Sequence, residues 1–251
     1  MRRTTVRSTA AAAASVLAAA LLAGSCASAP AAHSQGPLAA RDYPGELQLP
    51  EQLTTQAVWQ QRVTASWQAP GQPRQTRGFD AAVQRQGATL TVLGLSPVGS
   101  VGFAIRQTGK DVQVDNHMQE ELRIPPRFIL LDVQRAFFPW FDNSAKDAVD
   151  ASGYRQQIRG GERVRERLEQ GRVVQRTFER VDNAPAGTIR IDYEWGEPDW
   201  AVPTRVVLDN GWFGYELVVE THDETRLAQT LPKARPKGAA DGLAKHAMET
   251  R

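Results

Sequence analysis

Thr89-Leu-Thr-Val-Leu-Gly-Leu-Ser-Pro-Val-Gly-Ser-Val-Gly-Phe-Ala-Ile105 places two alternating runs on either side of a Ser-Pro-Val-Gly turn. Leu90 and Val92 fall on one side of the first run; Val101, Phe103 and Ile105 fall on one side of the second. A period of two sends successive side chains to opposite faces of a strand, so the stretch reads as a hairpin with one apolar face. The same period extends outward. Trp59, Val63, Ala65 and Trp67 share one side of an earlier run, as do Phe79, Ala81 and Val83, while Val112 and Val114 close the first half. Pro70-Gly71, Gln86-Gly87, Pro97-Val98-Gly99 and Thr108-Gly109 separate these runs. Strands recurring roughly every 8–12 residues with such punctuation predict an antiparallel meander, apolar on one face and polar on the other.

The pattern breaks once. Pro125-Pro126 precedes Arg127-Phe-Ile-Leu-Leu-Asp-Val-Gln-Arg-Ala-Phe-Phe138, and Pro139 follows. Proline at the start, no internal breaker, and Ile129, Val133, Ala136 and Phe137 near helical spacing predict a helix of about three turns. Because it is apolar over most of its circumference, it is expected to lie across the open side of the sheet. Strands then resume over Tyr154–Ile158, Val164–Leu168, Val173–Val181, Thr188–Glu194, Thr204–Leu208 and Tyr215–Glu220, with Asp209-Asn210-Gly211 as a hairpin signal between the last two. The expected fold is mainly β: a single curved antiparallel sheet of about eleven strands capped by one or two helices. A fixed repeat is absent, which argues against a propeller.

The ends of the chain have a different character. Arg2, Arg3 and Arg7 precede an uncharged apolar stretch, Ala10 to Ala23, and this order reads as a secretory signal peptide over residues 1–25. The apolar stretch is shorter than the roughly 20 residues a membrane-crossing helix needs. It ends in Leu21-Leu22-Ala23-Gly24-Ser25-Cys26, which resembles the site where lipoprotein signal peptidase cuts before a lipidated cysteine. Cys26 is the single cysteine, so no internal disulfide is available, and an exported thiol is better blocked by lipid than left free. Stable anchoring needs more than one acyl chain, which a diacylated cysteine supplies. Ala27 is not Asp, which by resemblance to the bacterial sorting rule implies an outer-membrane destination facing the periplasm; ordinary cleavage would leave a soluble periplasmic protein. Losing residues 1–25 leaves 27 basic and 28 acidic side chains, a formal charge of −1. Such a chain has no net electrostatic drive toward nucleic acid. Residues 26–46 read as lipidated cysteine and flexible tether, 47–227 as the folded β domain, and 228–251 as a polar tail.

The strand-turn-strand segment Thr89–Ile105 resembles that of the bacterial lipoprotein carriers LolA and LolB. The stretch Ile124-Pro-Pro-Arg-Phe-Ile-Leu-Leu-Asp-Val-Gln-Arg-Ala-Phe-Phe-Pro139 is similar to a related lipoprotein family, the domain of unknown function 3261. The resemblance implies a half-open β-barrel whose concave face, capped by helices, forms an apolar pocket for acyl chains. Trp67, Phe79, Phe103, Phe128 and Phe137 are the candidate lining. It also implies a membrane-facing turn, here Pro97, Val98 and Gly99, with Val98 where relatives carry an exposed leucine.

No catalytic set can be assembled. Gly94-Leu-Ser96-Pro-Val-Gly99 is not a nucleophile elbow, because the second glycine is a residue late and Pro97 does not suit a strand-to-helix turn. His33, His117, His222 and His246 have no partners at metal-ligand spacing. Asp132 is expected to pair with Arg135 or Arg85 or to face water at a pocket mouth, and Glu162 to Glu169 is expected to be a solvated hairpin. The function expected is a non-enzymatic carrier of acylated or lipid-like ligands, without metal or nucleotide cofactor, held on a membrane by its lipid anchor. The alternative is a docking platform for another envelope protein, using an exposed apolar patch around Trp212-Phe213.

Overall fold

The structure is a computed structural model that describes residues 43–96, 98–118, 122, 124–141, 149–184, 186–196 and 200–227. Cys26 and Pro97 lie outside the described residues. Eleven strands form one antiparallel sheet: β1 Ala57–Trp67, β2 Gln75–Gln86, β3 Thr89–Leu95, β4 Val101–Thr108, β5 Asp111–Asn116, β6 Tyr154–Arg159, β7 Glu162–Glu169, β8 Arg172–Arg180, β9 Thr188–Glu194, β10 Arg205–Asn210 and β11 Tyr215–Arg226. Their order is β5-β4-β3-β2-β1-β11-β10-β9-β8-β7-β6, so every neighbour but β1–β11 is consecutive in sequence. β5 and β6 are the two edges, and the sheet is open rather than a closed barrel.

The β1–β11 pairing joins the two halves of the chain along nearly the whole of both strands, from Ala57↔Arg226 to Trp67↔Tyr215. It carries a bulge. Gln60 faces Asp223 and Gln61 faces Thr221, leaving His222 as the extra residue. His222 therefore lies inside β11 and not at a strand end. The β10–β11 connection also differs from a two-residue Asn-Gly turn. β10 runs through Asn210, and Gly211 to Gly214 form the turn, with Gly214 N–H donating to the Asn210 carbonyl at 2.7 Å and Gly214 at φ +71°. The Asn210 side chain accepts from the amides of Trp212 and Phe213, which replaces the pairing a tighter turn would have made.

Among the described residues one α-helix, α1 Pro126–Phe137, caps the concave face. Its first turn tolerates Pro126 because the missing N–H has no intrahelical acceptor there. At its other end Phe138 adopts extended backbone ahead of Pro139, which cannot continue a helix. The helix packs between two apolar clusters. One contains Phe128, Leu131 and Ala136 with Phe178, Ile189, Ile191, Val206, Leu208 and Trp212 of the β7–β11 side. The other contains Leu130 and Phe138 with Trp59, Val83, Leu90, Val92, Phe103 and Ile105 of the β1–β4 side.

Candidate functional site

The polar face of α1 is not turned to water. Asp132, Gln134 and Arg135 are all buried. The segment Tyr43–Leu53 covers them, and residues 43–46, which composition assigns to a flexible tether, are held against the helix by side-chain bonds. Arg127 Nη1 donates to the Tyr43 carbonyl at 3.0 Å and Arg135 Nη2 to the Pro44 carbonyl at 2.6 Å. The Gln48 amide donates to Gln134 Oε1 at 2.7 Å, and Gln107 Nε2 reaches the Gln48 carbonyl at 2.8 Å. Backbone of the strap thus finds its partners on the helix and on β4, as buried amides and carbonyls must.

Asp132 is the centre of this arrangement. Tyr43 and Tyr215 both donate their hydroxyls to its carboxylate. Asn210 Nδ2 in turn donates to the Tyr43 oxygen at 2.9 Å. Arg135 lies 3.7 Å from the carboxylate and 2.9 Å from Glu162. Burial raises the Asp132 carboxyl above its ordinary value, against the opposing pull of Arg135 and the two tyrosines. Burial first, then the Asp132 charge, pushes both tyrosines well up, so their hydroxyls stay protonated as donors. Arg85, the other partner considered for Asp132, bonds the Pro50 carbonyl instead. With solvent excluded, the Asp132 carboxylate fixes the helix and strap in place; it does not face a pocket mouth.

Glu162 and Glu166 correct the expectation of a solvated hairpin. Both are 1% exposed and point to the concave side of β7, while Arg163 and Arg165 between them face out. Glu166 takes Arg155 at 2.6 Å and Arg176 at 2.7 Å, and Arg176 also donates to the Arg135 carbonyl at the C-terminal end of α1. A cation there suits the negative end of the helix. The alternating charges of Glu162–Arg167 are a strand with one ionic face buried under the helix.

Alongside the two sealed clusters lies a seam of half-buried apolar side chains, of which Trp67, Leu217, Val219 and Phe137 pack against the first cluster. On the concave face of β1, β2 and β11 these are Ala65, Trp67, Phe79, Leu217 and Val219. On α1, Ile129, Val133 and Phe137 recur every fourth residue and are likewise half-buried, with Phe137 packed against both clusters. Of the five candidate lining residues, Trp67, Phe79 and Phe137 belong to this seam. Phe128 does not: it is fully buried, with its ring 4.3 Å from that of Tyr43. Phe103 is also core, its ring laid over Gly94, where an added Cβ would stand 2.1 Å from it.

At the β3–β4 tip Val98 is 89% exposed, with Gly99 at φ +80° and the Ser96 and Ser100 hydroxyls bonded at 2.7 Å. Val101 and Met118 nearby are also exposed. The patch expected around Trp212-Phe213 is not on the surface. Trp212 is fully buried and its indole N–H donates to the Gly187 carbonyl, while Phe213 packs on Tyr43 and Phe128. No described helix is long and apolar enough to cross a membrane. Tyr43 and Arg176 were not singled out by sequence, and Glu162 and Glu166 were expected in solvent, since nothing local separates a buried glutamate from an exposed one on an alternating strand.

Residues 58–223 match the family described as "Protein of unknown function (DUF3261)", and the chain belongs to that family. No curated protein matches it. Among solved structures it is similar to a LolA-superfamily protein from Nitrosomonas europaea, at 16% identity over 70% of this chain and 88% of that one, with a TM-score of 0.37. An outer membrane lipoprotein-sorting protein domain from Vibrio parahaemolyticus gives 10% identity, 71% and 88% coverage and a TM-score of 0.35. The lipoprotein LppX from Mycobacterium tuberculosis gives 8% identity, 71% and 91% coverage and a TM-score of 0.32.

Proposed function

We propose that this protein is an exported envelope carrier that holds an acyl chain or similar amphipathic ligand in the seam between α1 and the concave face of the sheet. Cys26 carries the lipid anchor on the outer membrane, facing the periplasm, and the Pro97-Val98-Gly99 turn with its exposed Val98 meets the membrane during transfer. The observation that carries the reading is the row Trp67, Phe79, Leu217 and Val219. These apolar side chains lie on the concave face yet keep solvent access, while the residues of the two core clusters are sealed. A fold that needed only stability would close such a row, because each partly exposed large apolar side chain forgoes up to about 1 kcal/mol of burial.

The test uses protein carrying Cys26→Ser, purified after export. Native mass spectrometry is expected to find co-purified lipid, and a fluorescent fatty acyl probe to bind at micromolar concentration, with Phe79→Ala weakening it several-fold. A protein without bound lipid that also ignores the probe ends the carrier reading. Mass spectrometry of the unaltered protein's N-terminus checks the anchor, and crosslinking in cells to a protein rather than to lipid would favour a docking role.

A further inference from the structure

We infer that the seam is selective for an amphiphile with an anionic head group, recognised by Arg77; this rests on the carrier reading above. Arg77 lies on β2 directly opposite Ala65, two residues before Phe79. Alternation puts it on the concave face. Its neighbours confirm this: Thr76 bonds Ser66, and Gly78 lies against the Arg62 guanidinium, on the opposite, outer side. β3 pairs with β2 only from Ala81 onward, so Gln75–Asp80 have a neighbour on one side alone. Arg77, itself exposed, therefore stands at the rim of the seam beside Phe79 and Trp67.

Its lack of partners is what sets it apart. Among the described residues every other arginine meets a carboxylate, a carbonyl or an aromatic ring: Arg62 pairs with Asp80, Arg74 with Glu216, Arg165 lies over Tyr154 and Arg159 over Trp140. Arg77 has no such contact with a described residue. Asp80 and Glu216 point to the outer face, where they are held by Arg62 and Arg74. On the concave face Asp132, Glu162 and Glu166 are each already taken by cations or tyrosines. An unpaired guanidinium at the open end of an apolar row is complementary to a carboxylate or phosphate at the end of a hydrocarbon chain. Guanidinium bonds to such oxyanions in forked geometry, which makes arginine the suited residue. The chain would lie along Phe79, Trp67, Leu217 and Val219.

The experiment compares cis-parinaric acid with its uncharged methyl ester by fluorescence, on the Cys26→Ser protein and on the same protein with Arg77→Gln or Arg77→Lys. Arg77 is exposed and bonded to nothing, so these variants keep the parent's circular dichroism spectrum. The acid is expected to bind about tenfold more tightly than the ester. Arg77→Gln abolishes that preference without altering ester affinity, and Arg77→Lys retains part of it. Oleate and oleoyl lysophosphatidic acid compete as two sources of the head group; displacement by either supports the proposal, and the stronger assigns carboxylate or phosphate. Equal affinity for acid and ester, or a preference that survives Arg77→Gln, overturns head-group recognition while leaving the carrier reading intact. Displacement by inorganic phosphate alone would overturn it as well, marking an anion site unconnected to the chain. Failure of both acid and ester to bind overturns both readings.

Discussion

The hydroxyl of Tyr43 and the carboxylate of Asp132 meet across 89 residues of chain, joining the strap that leads in from the N-terminus to the helix that roofs the sheet. Tyr215 of β11 reaches the same carboxylate from the other side. Strap, helix and central strand are thus bound at one buried point.

Tyr43→Phe keeps the ring against Phe128 and Phe213 but removes the donor to Asp132 and the acceptor for Asn210. Leaving buried polar groups without a partner costs about 1–3 kcal/mol. Urea unfolding should show an unfolding free energy lowered by that amount, seen as a lower midpoint at unchanged slope, and a variant as stable as the parent would mean the bond contributes nothing.

Arg135 is fully buried and serves Glu162, Asp132 and the Pro44 carbonyl together. Arg135→Met leaves buried Glu162 without its cation and Asp132 with its tyrosine donors alone, at a cost of about 3–5 kcal/mol. Adding Glu162→Gln to it should recover part of the loss. A double-mutant cycle with no coupling between the two positions would contradict the geometry.

Gly94 is needed because the Phe103 ring occupies the space a side chain would take, 2.1 Å from an added Cβ. Gly94→Ala should cost about 1–3 kcal/mol through overpacking, and Phe103→Leu in the same chain should relieve part of it. Thermal unfolding of the single and double variants measures both.

Acid dependence has two opposing contributors. Asp182, bonded by Arg180 and by the Ala184 amide, is lowered to about 2 from its ordinary 3.8. Its folded form is favoured above the unfolded value, and that contribution is lost as pH falls through about 4 toward 2. Asp132 is raised by burial, so its ionisation opposes folding above its unfolded pKa and the cost is relieved as pH falls through its raised value. Melting temperatures of Asp182→Asn and Asp132→Asn, each taken relative to the parent from pH 2 to 7, should therefore change with opposite slopes. Parallel slopes would refute the assignment.

Much of this fold is legible along the chain. Leu90, Val92, Phe103 and Ile105 declare their strands by period, and Pro125-Pro126 and Pro139 bound the helix by steric exclusion; Val101, expected on the side of Phe103, is exposed because a bulge at Gly102 breaks the alternation. The site was legible only in part. Trp67, Phe79 and Phe137 fall in the seam, but Phe103 and Phe128 are core, because an aromatic residue on the apolar face looks the same in sequence whether a neighbour covers it or not. Trp212, expected on the surface beside a tight turn, is buried because the turn is longer and folds the indole inward.

What the sequence by itself determined is local: strand period, helix limits and most turn positions. These depend on backbone sterics and on alternation over a few residues. Tertiary structure alone decided that β1 pairs with β11, that Tyr43 belongs to the core, and that Asp132, Arg135, Glu162 and Glu166 form an ionic layer under the helix. Those groups lie between 3 and 172 positions apart, as in Arg135 with Asp132 and Tyr43 with Tyr215. A charge is buried only when the folded chain brings it a partner, and no local pattern records which distant residue that will be.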